Sequence, residues 1–373
     1  MAPPAYTESI VNVAPDSPAA RPRRGPALDD PIVPSGTPPQ RRLELVCPAG
    51  SLPALKAAVD HGADCVYIGF RNDTNARNFA GLNFDARAAA DGIRYAHARG
   101  AKVLLALNTY AQPGSFGRWT GALDLAAELR FDAVILADPG LMRHAAEHHP
   151  DLRLHLSVQG SATTYEAINF HVRHFGIRRT VLPRVLSLAQ VREVIDRAET
   201  EIEVFGFGSL CVMVEGRCAL SSYATGEGPN TVGVCSPAKA VRWQPTAEGL
   251  EVRLNGVLVD RFADGENAGY PTLCKGRYTV RDDTYYAIEE PTSLNTLAIL
   301  PDLVRMGVAA IKIEGRQRSP AYVAAVTKVW RAAIDACRPD PARFAVQDAW
   351  ARGLAAQSEG RQTTLGAYHR RWK

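Results

Sequence analysis

The chain has 373 residues, with 43 basic and 39 acidic side chains and a net charge of +4; 46% of it is hydrophobic and 22% charged. That is the composition of a globular protein, and so even a charge balance does not argue for nucleic acid as a partner. No apolar run approaches the roughly 18 residues of a transmembrane segment.

Residues 1–42 hold 10 of the 25 prolines and no sustained apolar pattern. They read as a disordered Pro-rich tail. The tail lacks the apolar stretch of a secretory signal, and Glu8, Asp16, Asp29 and Asp30 interrupt any transit-peptide pattern. Arg21, Arg23 and Arg24 read as part of a solvated linker.

From residue 43 onward, strand and helix patterns alternate. Strands are expected over 43–47, 65–69, 102–107, 132–137, 153–158, 179–182, 201–205 and 309–313. Helices are expected over 52–60, 84–99, 118–129, 139–148, 164–174, 187–197, 293–306 and 320–337. Strands separated by helices require crossovers, hence a parallel sheet. Eight such units predict closure into a (β/α)8, TIM-like barrel over 43–338. A doubly wound open sheet is the alternative, but no GxGxxG follows the first strand. Residues 339–373 form an expected C-terminal extension packed on the barrel.

The seventh unit is abnormal, because about 85 residues, 206–291, separate its strand from its helix. A loop after a barrel strand emerges at the C-terminal face, where barrel active sites lie. Short strands are expected inside this insertion over 253–260 and 278–288.

The chain has seven cysteines: Cys47, Cys65, Cys211, Cys218, Cys235, Cys274 and Cys337. An odd count without a secretion signal argues for a reducing, cytoplasmic setting. Four of them lie in the insertion, spaced Cys211-x6-Cys218, x16 to Cys235 and x38 to Cys274, among glycines and prolines. Four thiolates suit a structural zinc or an iron–sulfur cluster. The spacings match neither a zinc ribbon nor the familiar ferredoxins, so buried, unligated thiols remain the alternative at this stage. Cys47, Cys65 and Cys337 read as packing residues.

His144-Ala-Ala-Glu-His148 matches the HxxEH zinc-peptidase pattern. It falls at the end of a helix, away from the expected barrel mouth, where histidines suit the helix dipole without any metal.

Several stretches carry a family resemblance: Leu45-Val-Cys-Pro-Ala-Gly50, Asn72-Asp-Thr-Asn-Ala-Arg77, Phe79-Ala-Gly-Leu-Asn-Phe84, Phe207-Gly-Ser-Leu-Cys211, Glu215-Gly-Arg-Cys218, Gly265-Glu-Asn-Ala-Gly-Tyr-Pro-Thr-Leu-Cys-Lys-Gly-Arg277, Glu290-Pro-Thr-Ser-Leu-Asn295, Lys312-Ile-Glu-Gly-Arg-Gln-Arg-Ser-Pro320 and Thr363-Thr-Leu-Gly-Ala-Tyr-His369. Through them residues 43–373 resemble the collagenase-like peptidase family, and within it the ubiquinone-biosynthesis branch. The resemblance implies a 4Fe-4S cluster on four cysteines, matching Cys211, Cys218, Cys235 and Cys274. It implies a heterodimer with a related UbiV-like subunit that carries its own cluster. It further implies a small sterol-carrier-type lipid-binding protein as accessory, a ubiquinone precursor as substrate and hydroxylation without dioxygen, with prephenate as a plausible oxygen donor. Other branches hydroxylate bases of transfer and ribosomal RNA, which is the competing reading. A cluster-bearing scaffold without catalysis is a third. In either hydroxylase branch the peptidase label is a historical name.

Residues at strand C-terminal ends are the candidates for a substrate pocket. Asn108, Asp138, Gln159, Arg184, Glu314 and Arg316 occupy such positions. Glu314 and Arg316 are the preferred pair for an anionic donor, since a guanidinium grips a carboxylate with two hydrogen bonds. For each residue singly, loop capping and salt bridging is the plainer reading.

Overall fold

Alternation within the first strand sets the pattern for the whole barrel. In β1 (Glu44–Pro48) Leu45 and Cys47 face the surrounding helices, while Val46 faces the barrel axis. The computed structural model describes residues 43–369 except 80, 212, 214–217, 230–233 and 267. The Pro-rich 1–42 segment and residues 370–373 therefore lie outside the described residues.

Six strand–helix units share this plan. They are β1 with α1 (Leu52–Asp60), β2 (Cys65–Ile68) with α2 (Ala86–His97), β3 (Lys102–Leu107) with α3 (Phe116–Glu128), β4 (Ala133–Leu136) with α4 (Pro139–His148), β5 (Leu154–Leu156) with α5 (Tyr165–Phe175), and β6 (Arg179–Val181) with α6 (Leu188–Arg197). Side-chain caps fix where the helices start. Ser51, Asp85, Asp138, Thr164 and Ser187 each accept a hydrogen bond from a first-turn N–H, and Ser187 completes a capping box with Gln190.

The seventh strand, β7 (Glu201–Ser209), leads into the insertion. There α7 (Ala219–Thr225) precedes a three-stranded antiparallel meander, β8 (Val241–Thr246), β9 (Gly249–Leu254) and β10 (Val257–Phe262). A hairpin follows, β11 (Arg277–Val280) with β12 (Asp283–Tyr286). The chain returns through β13 (Ser293–Asn295), α8 (Leu300–Met306), β14 (Ala310–Ile313) and α9 (Pro320–Cys337). It ends with α10 (Asp348–Gln357) and β15 (Thr363–Thr364).

Strands β1 to β7 pair in sequence order and in parallel, and β14 closes the ring by pairing with both β1 and β7. The protein is a closed eight-stranded (β/α)8 barrel. Both faces of each strand are covered, which explains why the strands read as nearly continuous apolar runs.

The N-terminal end of the barrel interior is filled by charge instead. Arg179, 4% exposed, binds Glu44 at 2.6 Å, Glu201 at 2.7 Å and Glu203 at 3.4 Å. Lys312 binds Glu203 at 2.8 Å. Buried charges persist only when paired in this way. The network plugs the lower end of the barrel and leaves the upper end open.

Four local expectations are corrected. Strand β7 runs to Ser209, past the expected end at Phe205, because its glycines admit the β14 side. A Cβ on Gly206 would stand 2.3 Å from Ile311 Cγ2, and one on Gly208 2.6 Å from Glu314 Cβ. Residues 293–295 form a strand antiparallel to that extension, with Thr296 N–H donating to Gly206 O at 2.8 Å, so the helix expected from 293 begins only after a 3-10 turn. The strand expected over 253–260 is two strands that reverse at Asn255-Gly256, both at positive φ (46° and 86°), a type I′ hairpin. Likewise 278–288 contains a second hairpin, which turns at Arg281 and Asp282.

Beyond α9, the C-terminal segment packs Leu354 into the helical layer and stacks Phe344 on Trp350 at 6.1 Å. β15 then pairs with β13.

Candidate functional site

The strand C-terminal ends converge on a cavity of about 60 Å³. Tyr67 comes from β2, Asn108 from the end of β3, Ser157 and Gln159 from the β5 loop, Arg184 from the β6 loop, and Lys312, Glu314 and Arg316 from the end of β14. Of the expected pocket residues, Asn108, Gln159, Arg184, Glu314 and Arg316 line it. Asp138 serves as a cap, accepting from Gly140 N–H and Leu141 N–H while also bonding Ala111 N–H.

Four cations, Arg77, Arg184, Lys312 and Arg316, face one carboxylate, Glu314. Burial opposes ionisation of Glu314, but Arg184, Arg77 and the Ser209 N–H, which donates at 2.8 Å, outweigh it and lower its pKa. Glu314 is therefore an anion that organises the wall. Arg184 packs its guanidinium over the Phe205 ring at 4.3 Å and donates to Ser209 O. Burial lowers the pKa of Lys312, with Glu203 opposing, and its ammonium lies 4.0 Å from the Tyr67 ring centre. Burial also pushes up the pKa of the Tyr67 hydroxyl, which donates to Ile313 O at 2.9 Å. This hydroxyl stays protonated at neutral pH.

The 72–77 loop is locked from several sides. Arg316 Nη1 donates to Asn75 Oδ1 at 2.6 Å, and Asn75 Nδ2 donates to Phe70 O and to Asn83 Oδ1. Asn108 Oδ1 accepts from Ala76 N–H at 3.1 Å, so the Asn108 side chain holds the loop as well as lining the cavity. The locked loop presents Arg77, whose half-buried guanidinium makes no hydrogen bond among the described residues. Gln159 is similar, with a buried Oε1 that has no partner among the described residues. Both are uncommitted polar groups of the cavity wall. Arg77, Tyr67, Lys312 and Ser157 escaped the sequence reading. Arg77 sits inside a family-like stretch, and Lys312 was legible only as a charge at an interior strand position.

The four insertion cysteines gather beside this cavity. Cys211 follows β7, and Cys218 caps α7, its sulfur accepting from Ser221 N–H at 3.4 Å. Cys235 O accepts from Ser221 Oγ, and Cys274 lies in the 3-10 turn Leu273–Lys275. Burial pushes Cys235 up to about 11, and Cys211 and Cys218 add to it. Burial pushes Cys274 up to about 12, and Cys211, Cys235 and Cys218 add to that. Cys235 and Cys274 thus lie in the field of the other insertion thiols. Cys235 also feels Arg77 and Glu314, which places the cysteine set next to the cavity wall. Among the described residues no three of these sulfurs lie within 4.8 Å of one another. Four sulfurs on one zinc at about 2.3 Å would stand about 3.8 Å apart. The donor set is all sulfur, which suits either an iron–sulfur cluster or a zinc ion.

The other three cysteines are packing residues. Cys47 accepts from Thr327 Oγ1 at 3.2 Å, and burial raises its pKa to about 12. Cys65 and Cys337 are buried.

The profile described as peptidase family U32 matches residues 50–371. The chain belongs to peptidase family U32. It is 32% identical to tRNA hydroxylation protein P1 of Bacillus subtilis, covering 84% of this chain and 68% of that one. It is 33% identical to tRNA hydroxylation protein P of Escherichia coli, covering 78% and 68%. The 23S rRNA 5-hydroxycytidine C2501 synthase of Escherichia coli is 29% identical over 79% of this chain and 40% of its own length. The family therefore contains hydroxylation proteins beside those named peptidases.

In this U32 chain the HxxEH stretch does not form a zinc-peptidase site. His144 and His148 stack at 4.1 Å, Glu147 pairs with Arg143 at 2.7 Å, and the helix ends at the N-terminal side of the barrel. Among the described residues no helix is long and apolar enough to cross a membrane.

Proposed function

We propose that this protein is a UbiU-like iron–sulfur subunit of an O2-independent hydroxylase acting on the ring of a ubiquinone precursor. The observation that carries the reading is a set of four insertion cysteines, two of them in the field of the other thiols, beside a cation-lined cavity at the barrel mouth. The residues that would hold a 4Fe-4S cluster are Cys211, Cys218, Cys235 and Cys274. Such a cluster supplies one-electron acceptance or donation within reach of the cavity.

The chain's own residues then have defined tasks. Arg77 and Gln159 offer free hydrogen-bonding capacity to a ligand. Arg316 fixes the loop that presents Arg77, and Glu314 fixes the end of β7 and pairs with Arg184. Glu314 and Arg316 themselves are committed to protein partners, so an anionic oxygen donor such as prephenate meets Arg77 first. The same reading brings a UbiV-like partner subunit and a sterol-carrier-type lipid-binding protein, with the chemistry in the cytoplasm.

The names of the relatives favour a second reading, hydroxylation of an RNA base. One experiment separates the two. Anaerobic purification should give about four irons per chain. Deleting the gene should abolish anaerobic but not aerobic ubiquinone and leave RNA hydroxylation intact. Lost RNA hydroxylation with unchanged quinone would establish the second reading, and a colourless zinc protein would sink both cluster readings.

A further inference from the structure

A second group of ligand-type side chains sits at the other end of the barrel. The chain leaves α4 at its C-terminus and turns into β5, so this end carries the strand N-termini, away from the cavity. Asp124 projects from α3, His144 from the last turns of α4, and His149 is the C-cap of α4. One ligand atom of each lies within 4.8 Å of the other two. Asp124 Oδ1 stands 2.7 Å from His149 Nε2 and 3.8 Å from His144 Nε2.

Two features distinguish this group from a chance surface ion pair. First, His144 Nε2 is shielded from solvent and has no hydrogen-bond partner among the described residues. Leaving a buried ring nitrogen unsatisfied is unfavourable, and the Asp124–His149 pair alone does nothing for it. Second, the spacing suits shared coordination. A metal held by imidazole nitrogen and carboxylate oxygen at about 2.1 Å in tetrahedral geometry sets those atoms about 3.4 Å apart. The two separations from Asp124 Oδ1 straddle that value, and all three ligand atoms lie within 4.8 Å of one another.

We propose that Asp124, His144 and His149 form a binding site for a divalent transition-metal ion of the Zn²⁺ type. Two imidazoles and one carboxylate are a borderline ligand set that selects such ions over Mg²⁺ or Ca²⁺. The half-exposed side of Asp124 leaves room for water in the fourth position. The ion ties α3 to the end of α4 and gives His144 Nε2 the partner it lacks. This is not the HxxEH arrangement, because the second histidine is His149. His148 only stacks on His144, with its Nδ1 at 3.0 Å from His144 O, and Glu147 is bound to Arg143. The distance from the cavity makes the site a structural clip with no part in the hydroxylation.

The test titrates Zn²⁺ calorimetrically into the chelator-treated full-length chain and into D124A, H149A and H148A. The insertion thiols give the same background in all four proteins. The wild type and H148A should bind one equivalent more than D124A and H149A, or bind it more than about tenfold tighter. Zn²⁺ should raise Tm further in the first two than in the others. Co²⁺ should add, in the wild type minus D124A difference spectrum, a weak visible band without sulfur charge-transfer intensity. Asp124 is largely exposed, so D124A keeps the fold, and equal Tm values in chelator verify this. Equal stoichiometry and affinity in all four proteins, or loss in H148A alone, would overturn the site.

Discussion

Arg316 Nη1 and Asn75 Oδ1 meet at 2.6 Å although 241 residues separate them in the chain. The contact joins the end of the last barrel strand to the loop after the second. Asn75 is wholly buried and uses both ends of its carboxamide, since Oδ1 also accepts from Arg77 N–H at 3.0 Å. Replacing it would leave the Arg316 guanidinium, 5% exposed, without this partner. Asn75→Ala should therefore cost about 2–4 kcal/mol, measured as a lower urea midpoint at unchanged slope. A loss below about 0.5 kcal/mol would show that the loop is held by its other contacts.

Arg77 should behave in the opposite way. Its guanidinium makes no hydrogen bond among the described residues, so it supports the fold only through its field on Glu314. Arg77→Ala should leave Tm within about 2 °C of the wild type. Anaerobic hydroxylated product should fall by about tenfold or more. Arg77→Lys keeps the charge and loses the planar fork, so its product yield should be intermediate. Normal product from Arg77→Ala would remove Arg77 from ligand binding.

Much of this fold was legible from the sequence. The alternating strand and helix patterns and the length of the seventh loop led to the barrel and its insertion. The misreadings have physical causes. Gly206 and Gly208 look like strand breakers, yet they are what lets β7 continue past β14. Asn255-Gly256 is the plainest hairpin signal in the insertion, and it was submerged in an apolar run on both sides. The cysteines announced a site by clustering in one loop. Arg77 and Lys312 did not, because their importance depends on what faces them across the barrel, which no local pattern encodes. Glu314 and Arg316 were found at the cavity, but as structural partners first.

The interior charge network should show itself in acid. Burial disfavours the charged form of Glu44, but Arg179 and Lys102 outweigh it and hold its pKa at about 2. A carboxylate with a lowered folded-state pKa stabilises above its unfolded value of about 4.5, and this stabilisation is lost as pH falls towards 2. Unfolding free energy measured by urea should therefore decline between about pH 4.5 and 2. Glu44→Gln should be less stable than the wild type at pH 7 and show a shallower decline in that window. Parallel pH curves for the two proteins would contradict this account.

The glycines of β7 permit a direct steric test. A methyl group on Gly206 would stand 2.3 Å from Ile311 Cγ2 and 3.1 Å from the Trp330 ring. Gly206→Ala should cost about 1–3 kcal/mol through overpacking. Adding Ile311→Ala removes the nearest atom, so the double variant should be more stable than the sum of the two single losses, with a coupling of about 1 kcal/mol. Strict additivity in denaturation would mean that the backbone shifts to relieve the clash.

The seven cysteines should separate into two classes in one experiment. Cys211, Cys218, Cys235 and Cys274 lie in one another's field beside the cavity, while Cys47, Cys65 and Cys337 are dispersed and buried. Serine at any of the four should lower iron content in anaerobically purified protein by at least about half, with Tm reduced only to the extent that the ligand stabilised the fold. Serine at Cys47 puts a more polar hydroxyl in an apolar setting, beside Thr327. It should cost about 1–3 kcal/mol while iron per folded chain stays at the wild-type level. The decisive comparison is iron per folded chain. Equal loss in both classes would mean that metal retention follows overall stability and that the four thiols are not the ligands.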